Sequence, residues 1–430
     1  MTTTSTTQAP QDSAILPPGW KVCIDDLAKG VTSVTAIQDV YKALPPPALL
    51  DTVALIVGSV YGDTYWQNTQ MSVQALSRDL QGAGFGSQAA DSSASKAFAN
   101  WRGLFMRKDV NDIGVVPYQG ASPNNSVDIV CNQGGPLTKD TLLNRWNEQF
   151  WDYATVGKNY IYSRGTSVNF PSPIAGGPAG ARKACAAMYF SDAGFNIPPT
   201  SWHECLTLGG NHTMPIETTP IDPQARWVCS TSDPFIFQPP TAAHYCLVAV
   251  VQSEFFANNP MQIDPGSNWA SWTWLTYNGA AAWHNIDVQR AAVTRLKYYN
   301  HDGRPERFIF EAQCDRLPAG TTVALRCAEP QLAGQLAMTP AKIQGEHQVI
   351  RAEALVPAGH AGELEVHITT PDGTLLPAGA AVDVRMLWVL EHGHTRYADA
   401  CAAVGAVSQS LHAQPLQLGM GNFTILGQAR

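Results

Sequence analysis

In the second half of the chain apolar side chains recur at every second position. Phe308 and Phe310, Val323 and Leu325, then Leu364, Val366 and Ile368, then Val382, Val384, Met386 and Trp388 follow this period. A period of two places one face of a strand on a core, so these runs predict a second, smaller β-sandwich over 306–411, with Pro371-Asp372-Gly373 as a turn between two of them. The run His244–Val251 behaves differently. It is apolar and rich in β-branched residues without alternation, and it is too short to cross a membrane, so it predicts a buried strand. Trp269, Trp272, Trp274 and Trp283 follow it and point to a large β core rather than a charged cleft.

Helical periodicity is concentrated earlier. Thr35-x-x-Gln38 has capping-box spacing, Ile37, Val40, Tyr41 and Leu44 share a face, and Pro45-Pro46-Pro47 stops the helix. Ala48–Tyr61 reads as a buried helix, Asp63–Leu80 as another ending near Gly82, and Phe98, Trp101 and Phe105 mark one beginning near Ser93. These segments predict a helical domain over 20–112, preceded by a disordered Thr/Ser/Gln/Pro-rich arm at 1–19. A first sandwich is expected over 113–298, interrupted by one helix at 138–151 whose Leu142, Leu143, Trp146 and Phe150 form a stripe. Asn300-His301-Asp302-Gly303, inside the polar stretch Lys297–Pro305, marks its boundary with the second sandwich. The expected fold is mainly β, two consecutive sandwiches behind a small helical domain, with a C-terminal arm at 412–430.

The order of four strand motifs carries a family resemblance. Ser126–Val130 (SVDIV), Asn159–Arg164 (NYIYSR), Ala243–Val251 (AHYCLVAVV) and Trp283–Val288 (WHNIDV) together resemble a bacterial immunoglobulin-like (CARDB-like) β-sandwich accessory module, over about residues 122–290. The resemblance implies a non-catalytic module of a secreted or surface protein, used for binding or spacing, and it transfers no catalytic residue.

Composition narrows the partners. Charged residues are 14% of the chain, against about 25% in an average globular protein. Lys plus Arg is 27, Asp plus Glu is 35, the net charge is -8 and no basic run occurs, which excludes a nucleic-acid partner, since phosphate binding needs clustered cations. So little charge suits either a surface covered by copies of itself or by a partner, or a large monomer rich in uncharged polar residues. No signal peptide and no apolar stretch of about 18 residues is visible, so the expectation is a chain made as a soluble cytoplasmic protein without a transmembrane segment, with any release by a non-classical route. The nine cysteines are odd in number and lack Cys-x-x-Cys; Cys185, Cys246 and Cys327 lie in apolar runs, where buried thiols are expected.

Signatures of catalysis are few. There is no Gly-x-Ser-x-Gly elbow, Walker-type loop or His-Glu-x-x-His helix, and Gly82-x-Gly84-x-Gly86 lacks dinucleotide spacing. The best metal candidates are His392 and His394, which on an extended chain face the same way, with His360 or His367 as a third ligand. A solvated loop pair is the plainer reading of the two histidines, and no cofactor is expected. Cys205 with His203 or His244 makes a Cys-His pair only if the fold brings them together, and Glu204 adds polarity there.

Two function classes follow. The first is a non-catalytic structural or binding protein that self-assembles, as a homo-oligomer or filament, or presents a recognition surface to another protein or a surface glycan. The second is an enzyme or delivered toxin whose N-terminal helical domain is active and whose sandwiches serve targeting. The tail bears on the first. Leu416, Leu418, Met420 and Phe423–Leu426 form a strand-competent segment that either folds back as a local edge strand or adds to the sheet edge of a neighbouring copy.

Overall fold

The computed structural model describes residues 77–78, 81, 87–88, 90–91 and 103–427, the last with breaks at 113–117, 119, 121–122, 147, 149–153, 169–184, 216–225, 229–232, 242, 253–259, 264–265, 289–292, 328, 330–335 and 405–414. The expected arm at 1–19 and most of the expected helical domain lie outside the described residues. What is described is mainly β.

In chain order the first unit contains β1 (Gly103–Phe105), β2 (Ile129–Asn132), α1 (Lys139–Asn144), β3 (Asn159–Val168), β4 (Cys185–Asp192), β5 (Gly194–Phe195), β6 (His203–Cys205), β7 (Met214–Pro215), β8 (Arg226–Val228), β9 (Phe235–Phe237), β10 (His244–Gln252), α2 (Asn268–Tyr277) and β11 (Ala281–Asp287). One sheet is built around β3, which pairs with β1, β2, β8 and β9; the other runs β11-β10-β4-β6, with β7 also on β4. Ile129, Ile161, Phe235 and Phe237 from the first sheet meet Met188, Tyr245, Leu247 and Ala249 from the second in one core. The outer faces are covered too. Cys246, Val248 and Val250 of β10 lie under Leu275 of α2 and Trp283, while Val130 and Tyr162 lie under Leu142 of α1. His244–Val251 is therefore buried at every residue, which is why it does not alternate.

The second unit contains β12 (Val293–Tyr299), β13 (Glu306–Asp315), β14 (Thr322–Cys327), β15 (Ala341–Lys342), β16 (His347–Val356), β17 (Ala361–Thr369), β18 (Ala381–Leu390), α3 (Tyr397–Ala403) and β19 (Leu416–Leu426). Its two sheets run β15-β14-β17-β12-β5 and β16-β13-β18-β19. Between them Tyr298, Leu325 and Val366 pack against Phe308, Phe310, Val384 and Trp388. Trp388 is fully buried, and its indole N–H donates to Glu306 Oε2 at 2.9 Å.

Five expectations are corrected by this architecture. Trp269, Trp272 and Trp274 belong to a helix, not to strands: Ser267 Oγ accepts from Ala270 N at 3.2 Å as its N-cap, and Trp272 and Leu275 fall three residues apart on its inner side. The helix expected through Phe105 gives way at Gly103–Phe105 to β1, because the far end of β3 offers Thr166–Val168 as backbone partners. The polar stretch from Lys297 is not a boundary, since Lys297–Tyr299 finish β12 opposite Ala361–Glu363 of β17. Residues 416–426 are not an arm beyond a finished sandwich. They pair with β18 along its whole length, and Leu418, Met420, Phe423 and Ile425 complete the core. The helix expected at 138–151 is α1 with Thr138 as N-cap, closing by Arg145; Phe150 lies outside the described residues.

The two units are joined by more than the chain. β5, from the first half of the sequence, runs parallel to β12 in the second unit's sheet. A Cβ at Gly194 would meet the Lys297 carbonyl oxygen at 2.2 Å, so only glycine permits that approach. β19 carries an irregularity at Gly419–Gly421, where Gly421 has φ +138° and presses on Asn124. Beside it Asn422 Oδ1 accepts from Asn124 N at 3.1 Å, and its carbonyl accepts from Asn285 Nδ2 at 2.6 Å.

Candidate binding cleft

At this junction lies a cleft with about 50 Å³ of free space. Its walls come from α2 (Trp272, Trp274, Leu275), from Trp202 after the turn Pro199–Ser201, from Cys246 and Trp283 of the β10–β11 pair, and from Met420 of β19. Trp274 and Trp283 meet edge to face at 4.7 Å, and Trp202 packs on both, at 5.8 and 6.2 Å. These pairings fix the indoles against one another. Trp202 and Trp274 stay half-buried at the rim, whereas Trp272 and Trp283 are buried. The free space holds a few waters or one small polar group.

Among the described residues no charged side chain lines the cleft. Its polarity comes from Ser191, Ser271, Asn124 and Asn196. Asn196 stands in the left-handed region at φ 55°, and its amide orientation follows from its neighbours. Its Nδ2 donates to Tyr299 O at 3.0 Å and to Asn268 Oδ1 at 2.8 Å; Asn268 Oδ1 also accepts from His301 N, while Asn268 Nδ2 donates to Asn300 Oδ1. With every donor committed, Asn196 Oδ1 is left facing no hydrogen-bond partner among the described residues, and Asn124 Oδ1 is in the same state. Buried acceptors without partners are uncommon and costly, at roughly 1–3 kcal/mol each. Burial pushes the Cys246 thiol up to about 12, so in the cleft wall it is a neutral, apolar group rather than a nucleophile.

The residues singled out from sequence lie elsewhere and apart. His392 and His394 are in a turn closed by His394 N donating to Glu391 O at 2.8 Å, not on an extended chain, so their rings diverge. His394 Nε2 lies 3.2 Å from both Glu306 oxygens, and the His392 ring rests on Tyr397. His367 Nε2 faces Glu365 at 3.0 Å and His360 lies beside Tyr298. Among the described residues no group of three or more His, Cys, Asp or Glu is placed to hold a metal ion. Cys205 and His203 on β6 are separated from His244 on β10 by β4. Cys205 is buried, its thiol raised to about 12 by burial and by Glu204, and Glu204 instead faces His212 at 2.8 Å. His244 is held by Asp287 at 2.5 Å. The seven described cysteines are free thiols. No helix among the described residues is long and apolar enough to cross a membrane.

Sequence reading singled out Trp272, Trp274 and Trp283 of the cleft but not Trp202, Asn196 or Asn124.

No protein-family model matches the chain, and no curated protein matches it. Among solved structures it is similar to the C-terminal domain of the AgI/II polypeptide BspA of Streptococcus agalactiae, at 8% identity and TM-score 0.13, over 60% of this chain and 95% of that one. It is also similar to CfaE, the adhesive subunit of the CFA/I fimbria of enterotoxigenic Escherichia coli, at 9% identity and TM-score 0.15, over 76% of this chain and 93% of that one. TM-scores this low carry no argument about fold family or function.

Proposed function

We propose that this chain is a non-catalytic binding protein in which two immunoglobulin-like β-sandwich units hold a recognition cleft at their junction, and that the cleft takes a neutral sugar residue of a glycan. The observation that carries this reading is the pair of amide oxygens, Asn196 Oδ1 and Asn124 Oδ1, buried without partners in a mostly apolar wall that includes four indoles. Acceptors call for a ligand with O–H or N–H donors. The tryptophan rim favours an apolar face, and a lining without charge among the described residues favours a neutral group. A sugar ring combines all three, a hydroxyl group being small enough for the free space and the ring resting on Trp202 and Trp274.

Titrating the full chain with methyl glucoside, methyl galactoside and N-acetylglucosamine, followed by intrinsic fluorescence, tests this. A saturable change with a dissociation constant of about 1 mM, near 4 kcal/mol, is expected for at least one sugar and is lost in Trp202→Ala. No saturable change with any of the three, or an unchanged response in Trp202→Ala, contradicts the reading.

A further inference from the structure

One wall of the cleft is a row of residues that lie opposite one another on neighbouring strands. Cys246 of β10 is paired with Ser191 of β4 on one side and with Asn285 of β11 on the other. The far edge of β11 takes the segment before β2. There Asn125 bridges to His284, Ser126 N donates to Trp283 O at 2.8 Å, and Asn285 N donates to Asn124 O at 3.1 Å. That register sets Asn124 opposite Asn285. Opposite residues of antiparallel strands share a face, so Ser191, Cys246, Asn285 and Asn124 form one row across the sheet. Ser191, Cys246 and Asn124 line the cleft. Trp283 lines it too, and it stands two residues along β11 from Asn285, on the same face.

The amide of Asn285 has a single orientation. Its Nδ2 donates to Asn422 O at 2.6 Å, which leaves Oδ1 as the other end, buried and with no hydrogen-bond partner among the described residues. Asn422 is itself fixed. It is fully buried, its Nδ2 donates to the Asp383 carboxylate at 2.8 Å, and its Oδ1 accepts from Asn124 N at 3.1 Å. An ionised carboxylate only accepts, so Asn422 cannot flip, and β19 of the second unit holds both cleft asparagines. Asn124 Oδ1 has no partner among the described residues either. Two neutral amide oxygens thus belong to adjacent places in one row, on Cβ atoms about 5 Å apart. One buried acceptor without a donor is uncommon; two in adjacent places are the complement of a ligand with paired donors.

We propose that Asn285 is a specificity-determining residue of the cleft, and that Asn124 and Asn285 together take two hydroxyl groups on neighbouring carbons, one O–H to each oxygen. This pairing rests on the sugar reading of the cleft and narrows the sugar to one that presents a free vicinal diol. A diol suits the volume, because two hydroxyls need no more room than the few waters that about 50 Å³ admits. It also suits the chemistry, since both of its groups can donate at once. An acetamido group brings one N–H and one carbonyl oxygen, and that oxygen would face an acceptor, so such an edge is disfavoured at this pair.

Three small probes separate these cases. 1,2-Ethanediol has two O–H donors, 2-methoxyethanol has one and 1,2-dimethoxyethane has none. They are titrated into the ¹⁵N-labelled full chain and followed at the side-chain amide signals of Asn124 and Asn285. The diol is expected to bind about fivefold more tightly than the monoether, the difference one hydrogen bond makes, and the diether to leave the signals in place. Asn285→Ala removes one acceptor and brings that ratio close to one, read at Asn124. Asn124→Ala does the same, read at Asn285, and it keeps the joint, because Asn124 bonds to Asn422 and Asn285 there through backbone atoms. A purely structural role weakens every probe alike and leaves the ratio unchanged. A diol preference in a chain that binds no methyl glycoside removes the sugar reading and upholds the acceptor pair. Equal binding of diol and monoether, no shift with any probe, or a fivefold preference that survives in folded Asn124→Ala overturns the proposal.

Discussion

The two units bury their strands in opposite ways. β10 in the first unit is covered on both faces, by the opposing sheet on one side and by α2 on the other, and eight consecutive residues from His244 are buried. β16 in the second unit is covered on one face, and from Val349 to Val356 its residues alternate strictly between exposed and buried. One consequence is chemical. A doubly covered sheet must satisfy its polar groups internally, and the first unit does so at Asp128, which is fully buried between two guanidinium groups. Arg107 donates to Asp128 Oδ1 at 2.6 Å, and Arg164 lies 3.7 Å from the same oxygen. Arg164 also donates to the carbonyls of Val127, Leu142 and Arg145, closing the end of α1, and both guanidiniums lie over the Trp146 ring. In the second unit exposed charges such as Arg307, Arg351 and Glu353 lie on a sheet surface, with Glu311 buried beneath Arg351. The first unit therefore concentrates stability in few residues, and the second spreads it.

The sharpest way to break that contrast is Trp272→Ala, because this side chain packs into the second unit's core from a helix that covers the first. The expected loss is about 3–5 kcal/mol in chemical unfolding, shared by probes in both units. A loss confined to one unit's probes contradicts the idea of a common joint. Next comes Asp128→Ala, which strands two buried cations and is expected to cost about 3 kcal/mol in the melting transition. An effect within 0.5 kcal/mol of zero, the ordinary range of a surface change, shows that Asp128 is not the keystone of that outer face.

Titration of buried groups in the first unit gives a smaller, pH-dependent effect. Burial lowers His284 to about 4, with Nδ1–H donating to Ser126 O at 2.8 Å, and lowers Lys108 to about 7, with Nζ donating to Asn278 O and Ala281 O. In the window from about 6.5 down to 4 the unfolded chain takes up a proton at His284 that the fold refuses, so stability falls as pH falls. From about 7 to 10.5 the unfolded chain holds a proton on Lys108 that the fold has released, so this group makes stability rise with pH. Urea midpoints measured across both windows should lose the acid slope in His284→Gln and the alkaline slope in Lys108→Met; slopes unchanged by the substitutions contradict these assignments. The smallest effect is expected at Arg295, which pairs with Glu363 and Glu365 on the second unit's surface while 65% exposed. Arg295→Ala should shift stability by about 0.5 kcal/mol or less, read as a change in melting temperature.

How much of this was legible in the residues follows the same division. Singly covered strands write their burial into the sequence as alternation, so β17 and β18 are visible in Leu364-x-Val366 and Val382-x-Val384-x-Met386-x-Trp388. Doubly covered ones write only an apolar run, which located β10 but said nothing of what covers it. α2 went unrecognised because its tryptophans serve two cores and surround the helix instead of marking one stripe. Asp128, just before β2, and Arg164, within β3, were visible as polar residues amid apolar runs, yet their partnership needs β2 and β3 to pair, which no local pattern states. The cleft was illegible for the same reason. Asn124, Asn196 and Met420 are brought together by a sheet joint and a C-terminal strand hundreds of residues apart in part, and only the fold makes them neighbours.

The most direct test of the recognition cleft is a ¹⁵N-labelled indole NMR spectrum of the full chain, recorded with and without saturating methyl glycoside. The chain has twelve tryptophans, and four line the cleft. The account predicts that the indole N–H signals of Trp202, Trp272, Trp274 and Trp283 shift while those of Trp146 and Trp388 stay in place. Signals that do not move, or that move equally at Trp388 in the second unit's core, contradict it.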